Sequence, residues 1–338
     1  MKALVYTGVE ELTYTDRPRP EAGEDEALVR IMASGICGSD MHAYLGHDPR
    51  RPAPLTLGHE AAGVVVGGPQ DGRRVTINPL VACQACNYCS SGRENLCQRR
   101  QIISMPPREG AFADYVAMPS RNLITVPEAV PLKHAALAEP IACGWHGVRL
   151  GRSVLGGDLS GARAVVIGGG AIGVGAALSL AAQGAQDIML VEPNETRRAR
   201  LADVAGFEVC APGEPAMPGQ GSADIVIDGV GDAGTRETAS MIARPGGVIV
   251  HIGLGEATGG LDIRRMTLQE ITFIGTYTYT SEDFAQTTAA IFDGRLGRLD
   301  WIEERPLAEG HAAFQDIRAG CVAAPKIILT PDHGGTET

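Results

Sequence analysis

The run Ala164-Val165-Val166-Ile167 followed by Gly168-Gly169-Gly170-Ala171-Ile172-Gly173 constrains the fold of this chain more than any other stretch. A short, continuous apolar run reads as a parallel strand buried on both faces. The glycines behind it suit a strand-to-helix turn. The first makes the turn tight, the second lets the backbone approach a pyrophosphate, and the third allows helix and strand to pack closely. Ala171 to Ala182 then reads as a helix. Strand-like and helix-like runs continue to alternate over 187–191, 196–205, 223–228, 247–252 and 271–274. Such alternation gives an α/β fold with a doubly wound parallel sheet.

Gly168-x-Gly170-x-x-Gly173 alone is weak evidence in a chain with 44 glycines, and its plain alternative is an ordinary strand–helix turn. Its setting adds to it. Glu192 follows Gly173 by 19 positions, at the end of the next strand-like run. A carboxylate there binds the hydroxyls of an adenosine ribose and repels a 2′-phosphate, which favours NAD over NADP. The pyrophosphate would sit at the helix N-terminus, where free N–H groups and the dipole favour anions. Arg197 and Arg198 lie one turn further on, placed to pack on an adenine, face solvent or receive a phosphate.

A second pattern lies upstream. Cys83, Cys86, Cys89 and Cys97 form C-x2-C-x2-C-x7-C. Zinc takes four thiolates at tetrahedral corners about 2.3 Å away, and two-residue gaps let a tight turn aim successive sulfurs at one point. Disulfides and an iron–sulfur cluster are the alternatives, and nothing else in the chain points to electron transfer with a protein partner. A closed four-thiolate site has no open position, so its role is structural. Cys37 and His59 are each ordinary when taken singly, as a buried small hydrophobe and a satisfied polar group. Beside a dinucleotide turn and a cysteine lobe they read as two ligands of an open-site metal.

The region before residue 140 is rich in short strand-like runs over 27–32, 61–66 and 74–77, and 135–148 reads as an apolar helix bridging two domains. A net charge of −11 and a sequence pI of about 5.2 argue against nucleic acid and anionic membranes as partners. No run is apolar and long enough to span a bilayer, and the first residues read as a short strand rather than an export signal. The 8 cysteines then suggest a reducing, cytoplasmic setting. Cys143, Cys210, Cys321 and His146 read as packing residues.

With these motifs in place, the chain resembles the zinc-dependent medium-chain alcohol dehydrogenases, of the branch with sorbitol, L-idonate and threonine dehydrogenases. The likeness rests on Cys37-Gly-Ser-Asp-x-His42, Gly58-His59-Glu60-x-x-Gly63, the cysteine lobe, Ala138-Glu139-Pro140 and the glycine fingerprint, and runs essentially end to end. It implies a GroES-like, mainly-β catalytic domain over 1–143 with a structural zinc lobe near 83–97. A Rossmann NAD-binding domain over 144–283 and a return to the catalytic domain over 284–338 would follow. It implies two zinc ions per chain, a small-molecule alcohol substrate and a homodimer or homotetramer. Cys37 and His59 would hold the catalytic zinc. Glu60 resembles the glutamate that completes the site in polyol-type members, and Glu139 one that binds the metal or holds its water. Asp40 would orient His59. Ser39 would take the alcohol proton and His42 relay it to solvent. Gly168, Gly170, Ala171, Ile172, Gly173, Glu192, Arg197, Gly253 and Leu254 would contact the cofactor.

The resemblance thus implies hydride transfer from a secondary alcohol, polyol or sugar-acid hydroxyl to NAD. The alternatives are a zinc-free quinone reductase and a zinc- and nucleotide-binding protein without turnover. Polyol-type relatives often carry Gly-x-Phe-Arg-Tyr where this chain has Gly275-Thr-Tyr-Thr-Tyr279, so Thr278 stands in place of an arginine. That counts against a sorbitol-like substrate. His47, Arg50 and Arg51 are placed either to meet an acidic substrate or to form a basic surface loop.

Overall fold

A computed structural model describes residues 1–204 and 206–334. Ala205, the last residue of the helix expected over 196–205, and residues 335–338 of the expected return segment lie outside the described residues.

The alternating half forms one parallel sheet. Its spatial order is Glu208–Cys210, Asp187–Val191, Arg163–Ile167, Ala223–Asp228, Ala243–His251 and Thr272–Gly275. Every pairing is parallel, with Val166 opposite Leu190 on one side and Ile227 on the other. Strand order reverses beside Arg163–Ile167, so the loops after that strand and after Ala223–Asp228 flank the crevice where such sheets bind ligands. The expected helix Ala171–Ala182 has the predicted bounds, while the next one is shorter, Glu195–Leu201. The edge strand Glu208–Cys210 is too short to read by pattern.

The earlier half holds a second, mostly antiparallel sheet. The strand Glu26–Gly35 is at its centre, between Glu60–Val66 and Lys326–Thr330, and also pairs with Tyr115–Pro119. Thus a strand from late in the chain sits beside one from early in it, with Ile328 opposite Gly35.

The helix Ala138–Val154 begins with Glu139 and Pro140 in its first turn, where proline's missing N–H costs nothing. It packs on Ala171–Ala182 through small residues. A Cβ on Gly144 would lie 2.6 Å from Ala176 N, and one on Gly175 3.0 Å from Ile141 Cα. This close crossing fixes the start of the bridging helix, and hence Glu139, against the parallel-sheet half.

Candidate active site and metal centres

In the cysteine lobe, Cys86 Sγ is 3.5 Å and Cys83 Sγ 3.9 Å from Cys89 Sγ, and the ligand atoms of all four cysteines lie within 4.8 Å of one another. Tetrahedral Zn–S bonds of about 2.3 Å place sulfurs roughly 3.8 Å apart, so the set matches the ion. All four are free cysteines. The Ala85 N–H aimed at Cys83 lowers that thiol's pKa to about 6, whereas burial and the neighbouring sulfurs push Cys89 up to about 12. Four crowded sulfurs cannot all ionise unaided, and a dication removes that conflict.

The second set is built from two turns. Cys37 caps the helix Gly38–Tyr44, and Asp40 closes the cap by accepting from Cys37 N at 3.0 Å. Gly58 has φ +90°, and a Cβ there would lie 2.5 Å from the Phe112 ring, so only glycine makes the turn that delivers His59. Asp40 Oδ1 also accepts from Gly58 N at 3.2 Å and lies 3.5 Å from His59 Nδ1. Cys37, His59 and Glu60 bring their ligand atoms within 4.8 Å of one another. Burial would lower the His59 pKa, but Asp40 and Cys37 beside it hold it well above the ordinary histidine value. Asp40 is held below the usual carboxylate range because His59 outweighs its desolvation.

Glu60 is fully buried. Its Oε1 accepts from Lys326 Nζ at 2.6 Å, and Lys326 also donates to Ile36 O at 2.7 Å. Its Oε2 has no partner. An orphaned carboxylate oxygen beside a thiol and an imidazole, with further carboxylates nearby, fits a dication. Glu139 stands outside that ligand set, and its Oε1 accepts from Tyr279 Oη at 2.8 Å. Burial pushes Glu139 up to about 7, with Glu60 adding to the rise.

Ser39 Oγ lies 3.4 Å from His59 Nε2, the ring nitrogen not occupied by Asp40 and Ser104. His42, on the same helix, is exposed, its ring 6.4 Å from that of His47. Three residues to which sequence reasoning gave no role touch these side chains. Ser104, fully buried, sets its Oγ 3.3 Å from His59 Nδ1, while Lys326 and Tyr279 hold the two glutamates. A lysine opening an apolar strand, Lys326-Ile-Ile-Leu, and the last position of Gly275-Thr-Tyr-Thr-Tyr279 are the signals that sequence offers for two of them.

At the glycine turn, Gly168 has φ +100°, and a Cβ on Gly173 would fall 1.7 Å from Gly168 O. Gly170 caps the helix, with Ala171 and Ile172 in its first turn and nothing within 4 Å of where a Gly170 Cβ would point. Glu192 Oε2 accepts from Gly169 N at 2.7 Å and Oε1 from Asn194 N at 2.8 Å. Arg197 Nη1 is 3.7 Å from Glu192 Oε2, and Arg198 is spent on the Glu192 and Pro193 carbonyls. Gly253 approaches the Val230 backbone, where a Cβ would lie 2.1 Å from the carbonyl carbon, and Leu254 is 72% exposed.

The basic loop is largely neutralised. Arg51 is buried, bonded to Asp48 Oδ2 at 2.6 Å and to Ser104 O at 2.9 Å, so it faces no substrate. Arg50 pairs with the same aspartate. His146 is structural: its Nδ1 lies 2.7 Å from Asp283, which also binds Arg149 and Thr280. Cys210 is buried as expected, whereas Cys321 is exposed rather than packed.

Comparison with known proteins finds family matches in both halves of the chain. The family described as "Alcohol dehydrogenase GroES-like domain" matches residues 23–128, and that described as "Zinc-binding dehydrogenase" matches 171–293. L-Galactonate-5-dehydrogenase of Escherichia coli K12 is 31% identical over 309 residues, 88% of each chain. The structure of L-idonate 5-dehydrogenase from Escherichia coli K-12 superposes with a TM-score of 0.86 at 25% identity, covering 97% of both chains. A zinc-binding dehydrogenase from Sinorhizobium meliloti 1021, bound to NADP, gives 0.86 at 28% identity, covering 98% of this chain and 99% of that one.

Proposed function

The chain belongs to the zinc-dependent medium-chain alcohol dehydrogenases, and on that premise we propose that it oxidises a secondary hydroxyl of a polyol or sugar acid with NAD as hydride acceptor. The observation that carries this reading is the buried set Cys37, His59 and Glu60, with Ser39 at Nε2 of His59. We assign one zinc to that set and a second, structural zinc to Cys83, Cys86, Cys89 and Cys97.

Zinc supplies Lewis acidity, which lowers the pKa of a hydroxyl it polarises. Cys37, His59 and Glu60 would hold the ion, Asp40 and Ser104 fix the His59 ring, and Lys326 fixes Glu60. Ser39 accepts the hydroxyl proton and exposed His42 passes it to solvent. Glu139, whose pKa burial raises to about 7, would orient water or a substrate hydroxyl beside the ion. The Gly168–Gly173 turn would hold NAD, with Glu192 disfavouring a 2′-phosphate and Arg197, Gly253 and Leu254 as further cofactor contacts. Relatives named for L-galactonate and L-idonate support a sugar acid or related polyol. Thr278, whose buried hydroxyl has no partner, is a further polar group beside Tyr279.

We divide the chain at 1–143, 144–283 and 284–338. Among the described residues no helix is long and apolar enough to cross a membrane, and the 8 free cysteines suit a reducing cytoplasm. Among the described residues the edge strand Thr272–Gly275 is paired on one side only, which suits a homodimer or homotetramer.

The test is NADH appearance over secondary alcohols, polyols, sugar acids and L-threonine, with NADP as comparison. Turnover of a sugar acid or polyol with NAD is the expected result. Stable NADH binding by zinc-loaded protein that turns over none of them refutes the reading.

A further inference from the structure

Between the strand Thr272–Gly275 and the helix Ser281–Phe292 runs a short connection that touches residues of the cysteine lobe. Asn95, 3% exposed, donates from Nδ2 to Tyr277 O at 2.8 Å. The Arg100 guanidinium lies 4.7 Å over the Tyr277 ring, and its Nε is 3.3 Å from Tyr277 Oη. Arg100 is itself tied to Cys97 O at 2.8 Å. The Glu94 carboxylate accepts from Ser281 N. Glu94, Asn95 and Arg100 all lie within three positions of Cys97, the fully buried member of the four-cysteine set.

The same connection reaches the reacting centre. Tyr279, 2% exposed, donates its hydroxyl to Glu139 Oε1 at 2.8 Å and stacks on Phe284 with centroids 5.4 Å apart. Between the two tyrosines, Thr278 has φ +48°. A β-branched residue stays in that left-handed region only where its surroundings hold it. A loop whose four thiolates surround one ion has little freedom of its own and makes a stiff anchor.

We propose that Tyr279 is a positioning residue for Glu139, and that the four-cysteine lobe holds Tyr279 in place through Asn95 and Arg100. The lobe then serves the reaction as well as the fold. This inference rests on the assignment of Glu139 to the reacting centre.

The test uses full-length enzyme with zinc in the lobe and cobalt(II) in the Cys37–His59–Glu60 set. Cobalt's visible bands report the geometry of that set without turnover. Asn95→Leu and Tyr279→Phe should each shift the bands and lower kcat, on the best alcohol of the panel above, about tenfold, since small misplacements at a reacting centre are costly. The KM for NAD and the lobe's zinc content should stay as in the wild type. The double variant should do no worse than the larger single loss, because both changes break one chain of contacts. Should Asn95→Leu not fold, Arg100→Met carries the same test from a half-buried position. Unchanged bands in Asn95→Leu and Arg100→Met overturn the proposal, as does a fall in kcat without a band shift or losses that multiply in the double variant. Glu139→Gln is the reference. If it alone leaves bands and kcat unchanged, the assignment of Glu139 has failed rather than the coupling.

Discussion

Replacing Lys326 by methionine probes the buried pair that holds Glu60. Lys326 Nζ is 2.6 Å from Glu60 Oε1, and the two side chains are 3% and 0% exposed. Methionine fills the space of the lysine stem without its charge. Glu60 is then left with Oε1 newly unpartnered beside an Oε2 that already has no partner. Removing one member of a buried ion pair costs about 3–5 kcal/mol. For 338 residues, at about 2.1 cal/mol/K of unfolding entropy per residue, that lowers Tm by roughly 4–7 °C. Glu60→Gln strands the lysine instead and should cost a similar amount. The double variant removes both charges and should cost no more than either single change, falling short of the summed single losses by at least about 3 kcal/mol. Calorimetric unfolding of chelator-stripped and zinc-loaded protein measures all of these. A dication beside Glu60 is a second counter-charge, so the methionine variant should lose less when loaded. A stripped Lys326→Met protein unfolding within about 1 °C of wild type, or losses that simply add, would refute the reasoning.

Three other outcomes follow from the site and the clasp around Asp283. Cys37→Ala should abolish turnover with NADH affinity by fluorescence titration unchanged, whereas Cys89→Ala should mainly lower Tm; normal activity in Cys37→Ala would sink the metal assignment. Burial works to raise the Asp283 pKa, but bonds from His146, Arg149 and Thr280 hold it below the ordinary carboxylate range. Its stabilisation is therefore fully present above the unfolded-state value of about 4 and is lost as pH falls through the lower folded value, so Asp283→Asn should flatten the acid limb of urea midpoints against pH. Glu192→Gln keeps an acceptor for Gly169 N but removes the charge, and should raise the NADP-to-NAD ratio of kcat/KM by about tenfold, roughly 1.4 kcal/mol.

The parallel sheet is legible in sequence because its strands are continuous apolar runs and its turn needs glycine at fixed offsets. Arg163–Ile167, Asp187–Val191 and Ala223–Asp228 can be read almost to the residue for that reason. Cys37 and His59 are legible only together, through local motifs that each turn requires. What holds them is less so. Lys326 meets Glu60 across 266 positions, and Tyr279 meets Glu139 across 140, and no periodicity encodes such meetings. Arg51 misleads in the opposite sense. It looks like a free cation in a loop, yet Asp48, three positions before it, neutralises it under cover of Ser104.

The strand that carries Lys326 has a consequence for how the protein is made. The lysine contacts Ile36 O across 290 positions of chain. At a synthesis rate of about 5–20 residues per second, it leaves the ribosome roughly 15–60 seconds after the segment it completes. The cysteine lobe, spanning Cys83 to Cys97, is whole long before that. A nascent chain can therefore take up its lobe metal early, but the pocket around Glu60 closes only when the strand Lys326–Thr330 docks. On the proposed assignment, the lobe site would be complete well before the Cys37–His59–Glu60 site is enclosed.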